Sequence, residues 1–189
     1  MDLKDYIRSI KDYPKKGILF RDITTLIKDE LAFEETINQI VKKSKKFKVD
    51  KIAAIESRGF VFASAVSYIL KKPFIMLRKK NKLPADVHSV DFQLEYGTAT
   101  IEVHKDSISE NDSVLIIDDL IATGGTAEAA AKLTEISKGK VVAFIFVINL
   151  FDLGGCDNLL KKGYKVENLM DFPGCLLYTS DAADDGYRG

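Results

Sequence analysis

Four apolar residues, Val114, Leu115, Ile116 and Ile117, run straight into two adjacent carboxylates, Asp118 and Asp119. Thr123, Gly124, Gly125 and Thr126 follow, then an alanine-rich stretch over residues 127–136. The apolar run predicts a buried parallel strand, and the alanine-rich stretch predicts a helix. Between them lies a loop that only a few folds can use. In an open α/β sheet, ligands bind beyond the carboxyl ends of the strands, where these acids and glycines fall. Glycines without a Cβ let the backbone turn sharply and approach a ligand closely. Unpaired amides at a helix start, with the positive end of its dipole, suit a phosphate monoester. Thr123 and Thr126 add hydroxyl donors. Asp118 and Asp119 cannot face that phosphate, but they can accept from sugar hydroxyls or help hold a hydrated Mg²⁺. Acids beside a phosphate nest point to a ribose phosphate. A plain helix N-cap would explain one threonine but neither the paired acids nor the paired glycines. No Walker A sequence and no Gly-x-Gly-x-x-Gly occurs.

Length and composition bound the rest of the chain. Its 189 residues suffice for a single core, and 28 basic residues balance 28 acidic ones. A zero net charge argues against a nucleic-acid binder that relies on bulk charge. No apolar run approaches membrane-spanning length, and the start is not a signal peptide. Cys156 and Cys175 lack metal-ligand spacing, so reduced thiols in the cytoplasm are expected rather than a disulfide.

Taken in order, Leu3, Ile7 and Ile10 predict a short amphipathic helix, broken by Pro14 and Gly17. Residues 18–25 read as a loop carrying Leu19, Phe20, Arg21 and Asp22. A helix is expected over residues 30–45, with Lys42, Lys43, Lys45 and Lys46 as a solvated C-terminal face. Strands are expected at 51–55 and 73–77. The first ends in Glu56-Ser57-Arg58-Gly59 and precedes a helix over 60–70. The second ends in Arg78, Lys79, Lys80, Asn81 and Lys82, a cationic cluster suited to pyrophosphate. Residues 83–91 read as a mobile loop with His88 and Ser89. Alternation over 92–96 and 99–103 around Gly97 predicts a hairpin. Further strands are expected at 141–150 and 164–169, with a short helix over 156–162 between them. Neither His88 nor His104 has a metal-spaced companion. Strands alternating with helices predict an α/β, doubly wound, mostly parallel sheet flanked by helices.

The loop at 118–126 resembles the phosphoribosyl pyrophosphate (PRPP) signature of type I phosphoribosyltransferases. Four further segments accompany it in order: Phe-Arg-Asp at 20–22, Glu-Ser-Arg-Gly-Phe at 56–60, the Arg78–Pro84 cluster and Leu-Glu-Tyr-Gly at 94–97. Together they resemble the adenine phosphoribosyltransferases over residues 13–172. That resemblance implies one domain over 1–172, a small N-terminal hood over the base and a flexible β-hairpin loop. It implies adenine and PRPP as substrates, AMP and pyrophosphate as products, Mg²⁺ as cofactor and a homodimer. Leu19, Phe20 and Arg21 would bind adenine. Arg58, Arg78, Lys79, Lys82, Tyr96, Asp118, Asp119, Ala122, Thr123, Gly124, Gly125 and Thr126 would bind PRPP. Glu95, Arg58, Asp118 and Asp119 would carry catalysis, Glu95 by handling the proton that adenine loses. Mg²⁺ would be held through PRPP and water, with Asp118 and Asp119 as the protein groups in reach. A cis peptide between Glu56 and Ser57 is also implied.

Two positions depart from the family pattern: Asn81 stands where Gly is usual, and Asp91-Phe92 where Ser-Tyr is usual. Residues 173–189 lack an amphipathic period and read as an atypical tail outside the fold, closer to translated adapter sequence than to a native terminus. Two other functions stay open from sequence: a sister enzyme using hypoxanthine, guanine or xanthine, and a non-catalytic regulatory protein on the same fold.

Overall fold

The computed structural model describes residues 1–94 and 97–174. Among them a seven-stranded sheet forms the frame. Its parallel part comprises β3 (Lys51–Ile55), β4 (Phe74–Lys79), β7 (Ser113–Ile121), β8 (Lys140–Leu150) and β9 (Val166–Phe172). An antiparallel hairpin, β5 (Val87–Gln93) and β6 (Thr98–His104), adds an edge by pairing β6 to β4. Across the sheet the order is β5-β6-β4-β3-β7-β8-β9. The chain winds outward from β3 on one side to β4 and on the other to β7. The two directions part between β3 and β7, which fixes the ligand crevice at their carboxyl ends.

Both faces are covered. On one, α2 (Glu30–Ser44) and α3 (Arg58–Leu70) bury Ile37, Ile40, Phe62 and Val66 against Leu115, Ile117 and Ile145. On the other, α4 (Gly125–Ile136) and α5 (Gly155–Lys161) bury Ala130, Leu133 and Leu159 against Ile116, Phe144 and Phe146. Strands buried on both sides explain the unbroken apolar runs of β7 and β8. Asp29 caps α2 by accepting from the Ala32 amide at 2.9 Å. Lys43 and Lys46 of its expected solvated face instead reach Glu167 of β9, at 2.7 and 2.6 Å.

The N-terminal segment departs from expectation. Residues Leu3–Tyr6 form only a 3₁₀ turn, and β1 (Arg8–Lys11) pairs with β2 (Leu19–Asp22) in a small antiparallel sheet. The expected helix over Leu3, Ile7 and Ile10 and the expected loop over 18–25 are therefore corrected; a short helix α1 (Thr24–Ile27) follows β2. The cause is a cross-strand pairing that periodicity does not show. Arg8 lies opposite Asp22, and its Nε donates to that carboxylate at 3.0 Å. Asp22 also accepts from the Thr24 amide at 2.9 Å. That bond first, with Arg8 adding to it against burial, lowers the Asp22 pKa to about 2.

Three other expectations shift. The loop expected at 83–91 is largely strand β5, because each of its residues from Val87 has a partner on β6. Strand β7 does not stop at Ile117 but runs through both acids to Ile121, in register with β8. Strand β9 begins two residues later than expected, at Val166, and reaches Phe172. Pro173 and Gly174, assigned from sequence to the tail, are bound to the fold: Arg21 donates to the Pro173 carbonyl and the Gly174 amide to Asp152. Residues 175–189, with Cys175, lie outside the described residues.

Candidate active site

A cavity of about 270 Å³ opens where β3 and β7 diverge. Its walls are the turn Glu56, Ser57 and Arg58, the acids Asp118 and Asp119, and the loop from Ala122 to Thr126. Every PRPP-loop residue named from sequence thus meets Arg58 and both acids around one cavity. The Glu56–Ser57 peptide is cis, as the resemblance implied.

The acids are fixed because they belong to the strand. Asp118 lies opposite Phe146 in the β7–β8 ladder. Its Oδ1 accepts from the Asp119 amide at 2.8 Å. Gly59, in the first turn of α3, is packed against it: a Cβ there would stand 2.7 Å from Asp118 Oδ1. Burial, and then the neighbouring Asp119 carboxylate, push Asp118 well above the usual carboxylate range; Asp119 N–H and Arg58 act against this without reversing it. Asp119 is buried and ion-paired, its Oδ2 2.8 Å from Arg58 Nε. The pair is not aligned as a hydrogen bond, so that oxygen remains an acceptor without a donor.

Arg58 also ties the crevice to the N-terminal sheet. Its guanidinium carbon lies 5.9 Å from the centroid of the Phe20 ring, against which Tyr13 packs edge-on at 5.2 Å. Phe20 is half-buried, beside a residue that lines the cavity. Leu19, Phe20 and Arg21 are themselves not among the residues lining it. The Arg21 side chain turns away from the crevice: it donates to Ser9 Oγ and to the Pro173 carbonyl, and lies 4.5 Å from the Phe172 ring centroid.

The cationic cluster sits next to the cavity rather than on its wall. Arg78 pairs with Glu56 at 3.2 Å, while the side chains of Lys79 and Lys82 are exposed. Glu56 also accepts from the Lys79 amide at 3.0 Å; burial raises its pKa, but that amide and Arg78 outweigh it, so the net shift is downward. Asn81 adopts a φ of 64°, the left-handed region where Gly is favoured and Asn is tolerated. The departure from Gly therefore leaves the turn intact. Asp91, the other departure, accepts from the hydroxyl of its cross-strand partner Thr100 at 2.6 Å. Glu95 and Tyr96 lie outside the described residues.

One contributor escaped sequence analysis. Gly155, just before the short helix expected at 156–162, supports the 122–126 loop from behind. Its amide donates to the Ala122 carbonyl at 3.0 Å. Gly124, at φ +93°, packs on it so closely that a Cβ at 124 would lie 3.2 Å from Gly155 Cα. The only signal was the doubled glycine at 154–155 after an apolar strand.

A magnesium ion is compatible with these residues only in part. Among the described residues no group of three or more His, Cys, Asp or Glu could enclose a metal. Hard carboxylate oxygens, one of them without a donor, suit an ion that keeps its waters and arrives with substrate phosphates.

Comparison with known proteins agrees with this geometry. Residues 24–168 match the family model described as phosphoribosyl transferase domain. An adenine phosphoribosyltransferase of Pelagibacter ubique (strain HTCC1062) is 83% identical over 174 residues, covering 92% of this chain and 99% of that one. The crystal structure of adenine phosphoribosyltransferase from Thermoanaerobacter pseudethanolicus superposes with a TM-score of 0.86 at 45% identity, covering 90% and 98% of the two chains. The Saccharomyces cerevisiae enzyme, complexed with an imino-altritol bisphosphate and adenine, gives 0.82 at 31% identity over 89% and 96%. A strand that carries paired acids into a glycine loop, an arginine that joins them to an aromatic on a separate small sheet, and these similarities place the chain in the phosphoribosyl transferase family, among the adenine phosphoribosyltransferases.

Proposed function

We propose that the protein transfers the phosphoribosyl group of PRPP to a ring nitrogen of adenine, giving AMP and pyrophosphate in purine salvage. The observation that carries this reading is the Arg58 side chain, which reaches Asp119 on the ribose side and the Phe20 ring on the base side. The 5′-phosphate is received by the amides of residues 123–126 at the start of α4, where the helix dipole favours an anion. Asp118 and Asp119 accept from the ribose hydroxyls. Adenine stacks on Phe20, and the β2 backbone reads its amino group. As the C1′–O bond breaks, positive charge grows on ribose and negative charge on pyrophosphate. Arg58 and the Lys79 and Lys82 side chains stabilise the latter. Mg²⁺, when bound, supplies further positive charge to the pyrophosphate oxygens. Glu95 takes the proton that adenine loses.

Two accompanying readings have their own support. The outer face of α3 leaves Val61, Tyr68 and Ile69 exposed, Tyr68 to 75%, and Met76 on β4 is exposed as well. Exposed apolar faces of this kind mark interaction surfaces, and a second copy of the chain is the proposed partner. Tyr68→Glu should then convert a dimer to a monomer in sedimentation. A cytoplasmic setting fits the free, buried Cys156. No helix among the described residues is long and apolar enough to cross a membrane.

The direct test is the initial rate with PRPP and each of adenine, hypoxanthine and guanine. Adenine should exceed the others by at least about a hundredfold, because a pocket that pairs with an amino group leaves polar atoms unpaired against an oxo group. Equal use of hypoxanthine would overturn the assignment.

A further inference from the structure

Glu102 is a buried carboxylate, 5% exposed, on β6. Among the described residues no cation is ion-paired to it, although its cross-strand neighbour on β4 is Arg78. Arg78 turns instead to Glu56. Retaining a buried carboxylate without a counter-ion is costly unless hydrogen bonds satisfy it. Two do: the Asn81 amide donates to Oε2 at 3.0 Å and the Ser89 hydroxyl to Oε1 at 3.2 Å.

Those bonds complete a pattern along the cationic loop. The Lys79 amide is held by Glu56 at 3.0 Å, the Lys80 amide by the Thr100 carbonyl at 3.3 Å and the Asn81 amide by Glu102. Three successive amides are thus fixed to three acceptors, one in the turn after β3 and two within β6, while the lysine side chains stay exposed. Asn81 is also the left-handed residue at which the chain reverses toward Lys82. An acceptor at that point sets where Lys79, Lys80 and Lys82 reach.

We infer that Glu102 is a positioning residue for pyrophosphate binding, acting through the Asn81 amide, with Ser89 holding its second oxygen. This rests on the reading that the 78–82 loop meets pyrophosphate. The carboxylate sits on rigid β6 and touches neither adenine nor ribose in this reading, so its loss should act on one substrate.

The experiment compares Glu102→Ala, Glu102→Gln and Ser89→Ala with the parent, and includes Lys82→Gln. Glu102→Ala should raise KM for PRPP, and for pyrophosphate in the reverse reaction, by about tenfold, the scale of one lost bond to a charged group. KM for adenine should stay within about twofold and kcat within about threefold. Glu102→Gln keeps one oxygen acceptor and should restore most of the loss. Ser89→Ala should fall between parent and Glu102→Gln, and both remain informative if Glu102→Ala does not fold. A fall in thermal midpoint with unchanged KM values, or a parallel rise in KM for adenine and PRPP, overturns the inference. If Lys82→Gln raises KM for PRPP while the Glu102 variants do not, the loop binds pyrophosphate without help from Glu102. If Lys82→Gln also leaves KM unchanged, the loop reading and the inference fall together.

Discussion

Gly155→Ala separates positioning of the phosphate loop from general stability. A Cβ at 155 would stand 2.4 Å from the Ala122 carbonyl oxygen, 2.8 Å from Ile121 Cγ1 and 2.9 Å from the Gly124 nitrogen. Two of these three atoms are backbone of the loop itself, so no flexible side-chain tip can yield. Ordinary contacts begin at roughly 3.5 Å, so the turn and the loop must part by roughly 1 Å. A displacement of that size in groups that orient a substrate costs about a hundredfold in rate. Overpacking of this kind also costs about 1–3 kcal/mol, or about 2–4 °C of thermal midpoint per kcal/mol in a chain of this length. Gly154→Ala is the control. Gly154 lies at φ +77° with nothing within 4 Å of a Cβ, so alanine there is strained by about 1–2 kcal/mol but pushes on nothing. Initial rates with PRPP varied at saturating adenine, beside thermal unfolding, make the comparison. Both variants should lose stability, and only Gly155→Ala should lose about a hundredfold in kcat/KM for PRPP. A folded Gly155→Ala enzyme within about threefold of the parent would refute the argument that this turn sets the loop.

Asp118→Asn should impair PRPP use yet stabilise the fold at pH 7–8. Burial and Asp119 raise the Asp118 pKa, so its contribution is fully favourable below the unfolded value and is lost as pH rises through the folded one; asparagine escapes that loss, and unfolding curves should converge toward acid pH. Asp22→Asn should do the reverse. Asp22 is lowered to about 2, so its stabilisation is complete above about pH 4 and disappears as pH falls through about 2, which acid titration of both proteins would show. Asn81→Gly should leave PRPP kinetics and stability nearly unchanged, whereas Asn81→Val, β-branched at φ 64°, should cost about 1–2 kcal/mol and raise KM for PRPP; equal behaviour of the two would show that the left-handed turn is unimportant.

The parallel sheet was legible because its strands are buried on both faces and read as continuous apolar runs. The phosphate loop was legible because its residue types serve no common structural purpose together. Antiparallel elements were harder. Strand β1 buries little, with Arg8, Ser9 and Lys11 all exposed, and its existence depends on partners eight to fourteen residues away. Residues 87–91 carry His88, Ser89 and Asp91, polar enough to pass for a loop until β6 is placed beside them. In the site, residue types revealed the acids and Arg58, but not that β7 continues through Asp118 and Asp119. Nor does residue type show contacts between backbones. The support Gly155 gives to Gly124 depends on two atoms that are absent, and the doubled glycine at 154–155 does not by itself say which backbone packs against it.

The continuation of β7 to Ile121 divides the site by how readily its parts open. Asp118 and Leu120 lie within the ladder to β8, whereas the first amides of α4 have no intrahelical acceptor. Amide hydrogen exchange should follow that division. The amides of residues 114–121 should exchange only with opening of the central sheet, and those of residues 123–126 through fluctuations local to the loop. A bound 5′-phosphate would then slow exchange sharply at 123–126 and hardly at all at 118–121. In the proposed function the sugar would be met by a part of the protein that is already rigid, and only the phosphate would have order left to impose.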